Sequence, residues 1–238
     1  MADTATIASL ATAGGTLVLA VATFASTRSA NRAARVSEQA LSIGLRPVLF
    51  NARPQDPPQK IGYGDDHWVM LRDGLAVAEQ AADGNIYLAV PLRNVASGIA
   101  VLHGWYLWPR RAGVEDEHPQ LDEFRTQTRD LYVPAGDISF WQAALRDTED
   151  ELYAPVRAAI ASGGPLSLDL LYGDHEGGQR TITRFYMIPR HRSGGSESGA
   201  EHGQHVEHAQ HVGHADDEPW LRLCSVSRHW NIDRADPR

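Results

Sequence analysis

The chain has 238 residues, 42% of them hydrophobic, 8% aromatic and 22% charged, which suits one domain with an appendage and excludes a wholly disordered or collagen-like chain. A net charge of −8 argues against general binding to nucleic acid. The single cysteine, Cys224, excludes an intrachain disulfide and any cysteine-based zinc module.

Residues 4–27, TATIASLATAGGTLVLAVATFAST, carry no charge. As a helix rising about 1.5 Å per residue they would measure about 36 Å, enough for the roughly 30 Å of a bilayer's hydrocarbon core. The stretch is rich in Ala, Thr and Gly, and its strongest part is 16–24. Asp3 precedes it, and Arg28, Arg32 and Arg35 follow it. A secretory signal peptide needs its positive charges first. The order found here predicts a transmembrane helix over 4–27, with the N-terminus outside and everything after Arg28 in the cytoplasm. A signal peptide cleaved near Ala20-Val21-Ala22 and a soluble helix are the competing readings. The first partner expected is therefore the lipid bilayer of the inner (plasma) membrane. Ala11 and Gly15 stand at a spacing that lets two such helices approach, so a homo-oligomer through this helix is a further expectation. A juxtamembrane helix over 28–45 should continue unbroken and stop near Gly44, since Pro47 disfavours helix in the residue before it. Its arginines would face anionic head groups.

From Arg46 the texture changes to short apolar runs punctuated by Gly and Pro, which predicts strands. They fall at 46–53, 67–71, 75–79, 85–92, 99–108, 131–133, 138–145, 166–172, 181–188 and 220–227. PQDPPQ at 54–59 reads as a loop. In NIYLAVPL, Ile86, Leu88, Val90 and Leu92 share one face. Pro91 argues for an edge or a bulge in that strand. GDHEGGQR turns a hairpin between 166–172 and 181–188. One helix is expected over 148–161, opened by a capping box of Thr148 and Glu151. The fold class is thus mainly β: an N-terminal transmembrane and juxtamembrane helix, then an antiparallel immunoglobulin-like β-sandwich with one short helix. The sandwich domain occupies 46–189, and 219–238 supplies its final strand and the C-terminal tail.

Between these lies 190–218, with almost no large apolar residue, which reads as a disordered His-rich insertion. His202, His205, His208, His211 and His214 recur at every third position. Imidazoles ligate zinc, nickel and copper, so the tract is the one candidate metal site, weak and without a fixed tetrahedral set. No other cofactor is indicated.

No phosphate-binding loop, dinucleotide fingerprint, zinc-protease helix or nucleophile elbow occurs. Asp174, His175 and Glu176 sit in the expected hairpin turn, where turn geometry favours such residues. His103 and His229 lie beside Trp105 and Trp230 and read as structural. Asp147, Asp169 and Asp233 are linked by no spacing that suggests acid–base catalysis. Cys224, between apolar neighbours in a strand, reads as a buried inert thiol. No catalytic residue is assigned.

Three stretches carry a family resemblance: the strand start Arg46-Pro47, the corner NVASGIA at 94–100, and the hairpin LLYGDHEGGQRTITRF at 170–185. The chain resembles uncharacterised bacterial, actinobacterial-type single-pass membrane proteins, which join an N-terminal transmembrane helix to a C-terminal β-sandwich. The resemblance implies topology and fold, and no reaction. The expectation is a membrane-anchored, cytoplasm-facing sandwich that binds or scaffolds a protein partner and is not an enzyme. The alternatives are metal handling by the His tract and a hydrolase built on His103, His175 or His229.

Overall fold

The computed structural model describes residues 4–113, 115–190 and 220–233. The chain divides into two compact units, 1–45 and 46–238. The expected His-rich insertion, with His202, His205, His208, His211 and His214, lies outside the described residues.

The first unit is one helix, α1 (Thr4–Gly44), continuous for 41 residues. Thr16, Thr23 and Thr27 each donate a hydroxyl hydrogen bond to the carbonyl four residues back, at 2.8–2.9 Å. Polar side chains are thereby satisfied within the helix itself. Residues 12–44 are exposed. The transmembrane character expected for 4–27 is not supported: among the described residues, no helix is long and apolar enough to cross a membrane. The physical reason is dilution. Thr12, Gly14, Gly15, Thr16, Ser26 and Thr27 flank a run that is strongly apolar only from Leu17 to Phe24.

The second unit is mainly β, antiparallel and sandwich-like. In chain order it comprises β1 (Leu49–Asn51), β2 (Gln59–Gly62), β3 (Trp68–Leu71), β4 (Ala76–Gln80), β5 (Ile86–Asn94), β6 (Ala100–Trp108), β7 (Arg125–Thr126), β8 (Tyr132–Val133), β9 (Ile138–Leu145), α2 (Tyr153–Ala161), β10 (Leu166–Gly173), β11 (Arg180–Pro189) and β12 (Leu221–Asn231). The hydrogen-bonded order runs β9-β5-β4-β12-β11-β10-β6. β1 shares with β4 the side of β5 opposite β9, and β7 and β8 both pair with β6. β2 and β3 form a separate hairpin.

This sheet curls until its ends face each other. Trp105 of β6 and Trp141 of β9, at opposite ends of the order, meet edge-to-face with ring centroids 5.4 Å apart. Between the two halves lies the main core: Ile86, Leu88, Val90 and Leu92 against Leu102, Leu107, Leu168, Leu170 and Phe185. Period-two alternation puts these residues on one face of their strands. β5 is buried on its other face as well. Tyr87 and Ala89 pack beneath the β2–β3 hairpin, with Ile61, Val69 and Leu71. From the sequence, 54–59 reads as a loop and no strand is expected over 60–62, where β2 runs. Its polar residues Gln59 and Lys60 hide a strand that covers the sheet with Ile61 alone.

Pro91 corrects the edge expectation, because β5 is an interior strand. The carbonyl of Pro91 accepts a bond from the Ala52 amide, at 3.1 Å, on the β1 side. A residue's N–H and C=O point the same way in a ladder. The missing N–H therefore falls where β4 pairing ends at Ala89 and β1 pairing begins at Leu92.

At the 94–100 corner, Asn94 is fully buried. Its Nδ2 donates to the Gly98 and Val133 carbonyls at 2.6 and 3.2 Å, and its Oδ1 accepts from the Ala96 and Val48 amides. One side chain thus fixes the corner, β8 and the entry to β1. Arg46, at the start of this unit, bonds to Thr181 Oγ1 and Asn231 Oδ1, both at 3.1 Å, and pairs with Asp233. It ties the first residue of the domain to its last strand.

The α2 cap differs from expectation. The helix begins at Tyr153 with Leu152 at the N-cap and no side-chain cap. Asp147 and Asp150 instead accept bonds from the Glu149 and Leu152 amides, both at 2.9 Å, and hold the preceding turns. This leaves Thr148 outside the helix. Tyr153, Val156 and Ala159 form the buried face of α2. β11 and β12 are neighbours along nearly their whole length, and Pro189 sits opposite Arg222.

Candidate functional site

A pocket of about 240 Å³ opens along β9. One wall is residues 142–146, and the other is the segment 126–129 that follows β7, with Tyr63 and Trp105 completing it. Among the described residues β9 pairs with β5 alone, and its second edge carries no strand pairing. The side on which its backbone groups lie follows from Pro91. That residue points its carbonyl away from β9 and sits opposite Phe140. Phe140 therefore points its own N–H and C=O away from β5, and by alternation so do Gln142 and Ala144. No backbone hydrogen bond joins 142–146 to 126–129 among the described residues.

The polar side chains of the pocket are unequally satisfied. Gln142 Nε2 donates to Asp130 Oδ2 at 2.6 Å, which fixes the amide orientation. Its Oε1 is buried and has no hydrogen-bond partner among the described residues. Arg146 uses Nε on Asp65 Oδ2 at 2.9 Å and remains half-exposed. Arg129 has no carboxylate partner among the described residues, and it reaches toward Gly64. Gln127 is held by a bond from its Nε2 to the Arg129 carbonyl, at 2.7 Å. The pocket thus offers two guanidinium groups and one unused acceptor.

Behind Arg146 lies a rigid polar cluster. Asp65 Oδ2 also accepts from the Tyr87 hydroxyl at 2.7 Å. The Arg146 and Tyr87 bonds together pull the Asp65 carboxyl down to about 2. Burial first, and then the bond to Asp65, raises Tyr87. His67 stacks on Tyr87, 3.8 Å between centroids and nearly parallel, and its Nε2 meets Glu79 Oε1 at 2.5 Å. Tyr63 donates to the Leu88 carbonyl at 2.9 Å and is pushed up by its burial. These contacts fix Arg146 from behind, so it need not be ordered when a ligand arrives.

A second pocket, about 270 Å³, is lined by Tyr106, Glu123, Arg125 and Glu151. There Arg125 is already held by Asp150, at 2.6 and 2.8 Å.

The chain matches no family model, no curated protein and no solved structure.

The residues singled out in the sequence do not converge. His103 lies on β6 and His229 on β12, with β10 and β11 between them. Burial lowers His103, which lies close against Gly173 at the base of the 174–178 turn. His175 is exposed in that turn. His229 Nδ1 meets Thr183 Oγ1 at 2.7 Å, and that hydroxyl meets Tyr172 Oη at 2.9 Å, which accepts from the Leu49 amide. This chain closes the seam between β1 and β11. Asp169 is fully buried against Arg184, and Asp233 is engaged by Arg46. Among the described residues, no group of three His, Cys, Asp or Glu side chains could hold a metal ion. The pocket residues Gln127, Arg129, Gln142 and Arg146 were not singled out. Only Gln142 carried a signal, as a polar position in the alternation of β9.

Proposed function

We propose that the protein is a membrane-tethered binding module whose immunoglobulin-like sandwich presents a recognition pocket on the cytoplasmic side. The observation that carries the tether is the apolar run in α1. Leu17, Val18, Leu19, Val21 and Phe24 are each more than 60% exposed. At about 100° per residue they spread over roughly 220° of the helix circumference, a broad apolar face that favours an apolar medium. Ile7 and Leu10 extend the run toward the N-terminus, and Arg28, Arg32 and Arg35 follow it. That charge order favours the arginine side as cytoplasmic. The sandwich is the recognition part: its strands form a scaffold, and its edges and loops are free to bind. The reading is non-catalytic.

The test fuses to Arg238 a reporter active only outside the membrane and, separately, one active only inside. The inside reporter should work, and the protein should sediment with membranes and resist extraction by salt and carbonate. Recovery in the soluble fraction, or activity of the outside reporter, overturns the reading. The metal alternative is tested by deleting 200–215; unchanged metal tolerance in cells removes it.

A further inference from the structure

We infer that the pocket along β9 captures an extended peptide that presents a carboxylate, added as a strand to the free edge of β9. The inference deepens the binding-module reading and rests on it.

Three independent features converge on this ligand. The first is backbone. Gln142 and Ala144 point their N–H and C=O groups away from β5, toward the pocket wall. Two residues at that spacing can exchange four hydrogen bonds with one added antiparallel strand. Strand addition to an open edge is a recurring mode of peptide recognition. The second is charge. Arg129 lacks a carboxylate partner among the described residues, and Arg146 spends only Nε on Asp65. A guanidinium fork matches a planar carboxylate, and such charge-assisted bonds are the strong ones. The third is the unused acceptor. Gln142 Oε1 is buried without a partner, while Nε2 is committed to Asp130. Rotating the amide would set its oxygen against that carboxylate, so Nε2 rather than Oε1 faces Asp130. The Oε1 acceptor asks for an N–H, which a peptide supplies beside every carbonyl. A simple inorganic anion would satisfy the arginines and leave this acceptor as unpartnered as before.

Size agrees. About 240 Å³ falls below the roughly 300–1,000 Å³ common for cofactor-sized ligands. The site takes the tip of a chain rather than a nucleotide. The carboxylate can come from a chain terminus or from an Asp or Glu side chain, and both present the same group to the two arginines.

The experiment uses the full chain in nanodiscs and three N-acetylated random hexapeptide libraries. One has free C-termini and no Asp or Glu. One is C-terminally amidated and includes Asp and Glu. The third is amidated without them and has no carboxylate. Each is passed over immobilised protein, and retained peptides are identified by mass spectrometry. Retention of the first library over the third assigns a terminal carboxylate; retention of the second over the third assigns an acidic side chain. R129Q should reduce retention at least tenfold, with the thermal midpoint unchanged. Equal retention of all three libraries, or retention of none, overturns the inference. So does retention that R129Q leaves intact. None of these outcomes bears on membrane sedimentation or reporter orientation, so failure here is separable from failure of the tether.

Discussion

Arg184 on β11 and Asp169 on β10 stand opposite each other in register, and the two carboxylate oxygens take Nε and Nη2 of the guanidinium at 2.7 Å each. Both residues are at most 1% exposed. Trp108 Nε1 adds a third bond to the carboxylate at 2.9 Å. The remaining Arg184 donors reach the Gly113, Asp116 and Glu117 carbonyls, so one buried side chain staples the loop after β6 to the sheet. The guanidinium is also flanked by the Trp108 and Trp230 rings. Removing the acid strands a buried charge. Asp169→Asn should cost about 3–5 kcal/mol. At about 2–4 °C per kcal/mol for a domain of this size, the midpoint should fall by roughly 6–20 °C. Thermal melts read it directly; a shift under 2 °C would show that the pair contributes nothing net.

Gly62 lies opposite Trp68 in the β2–β3 hairpin, and a Cβ there would meet the indole at 2.7 Å. The ring lies over the bare backbone, with Lys60 Nζ 4.7 Å from its centre. Gly62→Val should displace Trp68 and loosen the hairpin that covers Tyr87 and Ala89. The expected readout is a lower thermal midpoint, with a loss of about 1–3 kcal/mol from overpacking. An unchanged midpoint in the variant would count against this arrangement.

Two carboxylates give the protein an acid limit. Arg146 and Tyr87 hold Asp65 at about 2, and Arg110 together with the Gly113 amide does the same for Asp116. A lowered folded value means that the unfolded chain binds more protons, so stability rises with pH in this window. The contribution is whole above the ordinary value of 3.8 and is lost as pH falls through about 2. Urea midpoints should fall steadily from pH 5 to pH 2, and R146Q should flatten part of that fall. Midpoints independent of pH across this range would contradict the assignment.

Cys224 packs partly buried against the main core, and burial pushes its thiol up to about 12. Only the thiolate reacts. Native protein at pH 8 should therefore label with iodoacetamide far more slowly than protein unfolded in urea. Equal rates would place the thiol in solvent.

Most strands were legible because their apolar residues alternate, as in Ile86, Leu88, Val90 and Leu92. β2 was not, since Ile61 is the only core residue between Gln59 and Gly62 and a polar, Pro-rich stretch precedes it. The Thr148 and Glu151 pair had the spacing of a capping box, but Asp147 and Asp150 outcompete it for the local amides. Pro91 looked like an edge residue because sequence cannot show that two different strands share one side of β5. The pocket was illegible for a similar reason. Arg129 and Arg146 line one pocket only because the sheet curls until β6 and β9 approach, and that is a property of all its strands together.

Pro189 and Arg222 are cross-strand neighbours, so the chain leaves β11 and returns to β12 at a single place on the surface. Lengthening a flexible connection costs only about 0.6 kcal/mol per doubling. Closely spaced ends also leave the ladder indifferent to what is spliced between them. That position is a natural port for cargo: a fluorescent protein or affinity tag inserted there, in place of the His-bearing stretch, would leave the β11–β12 register as it is.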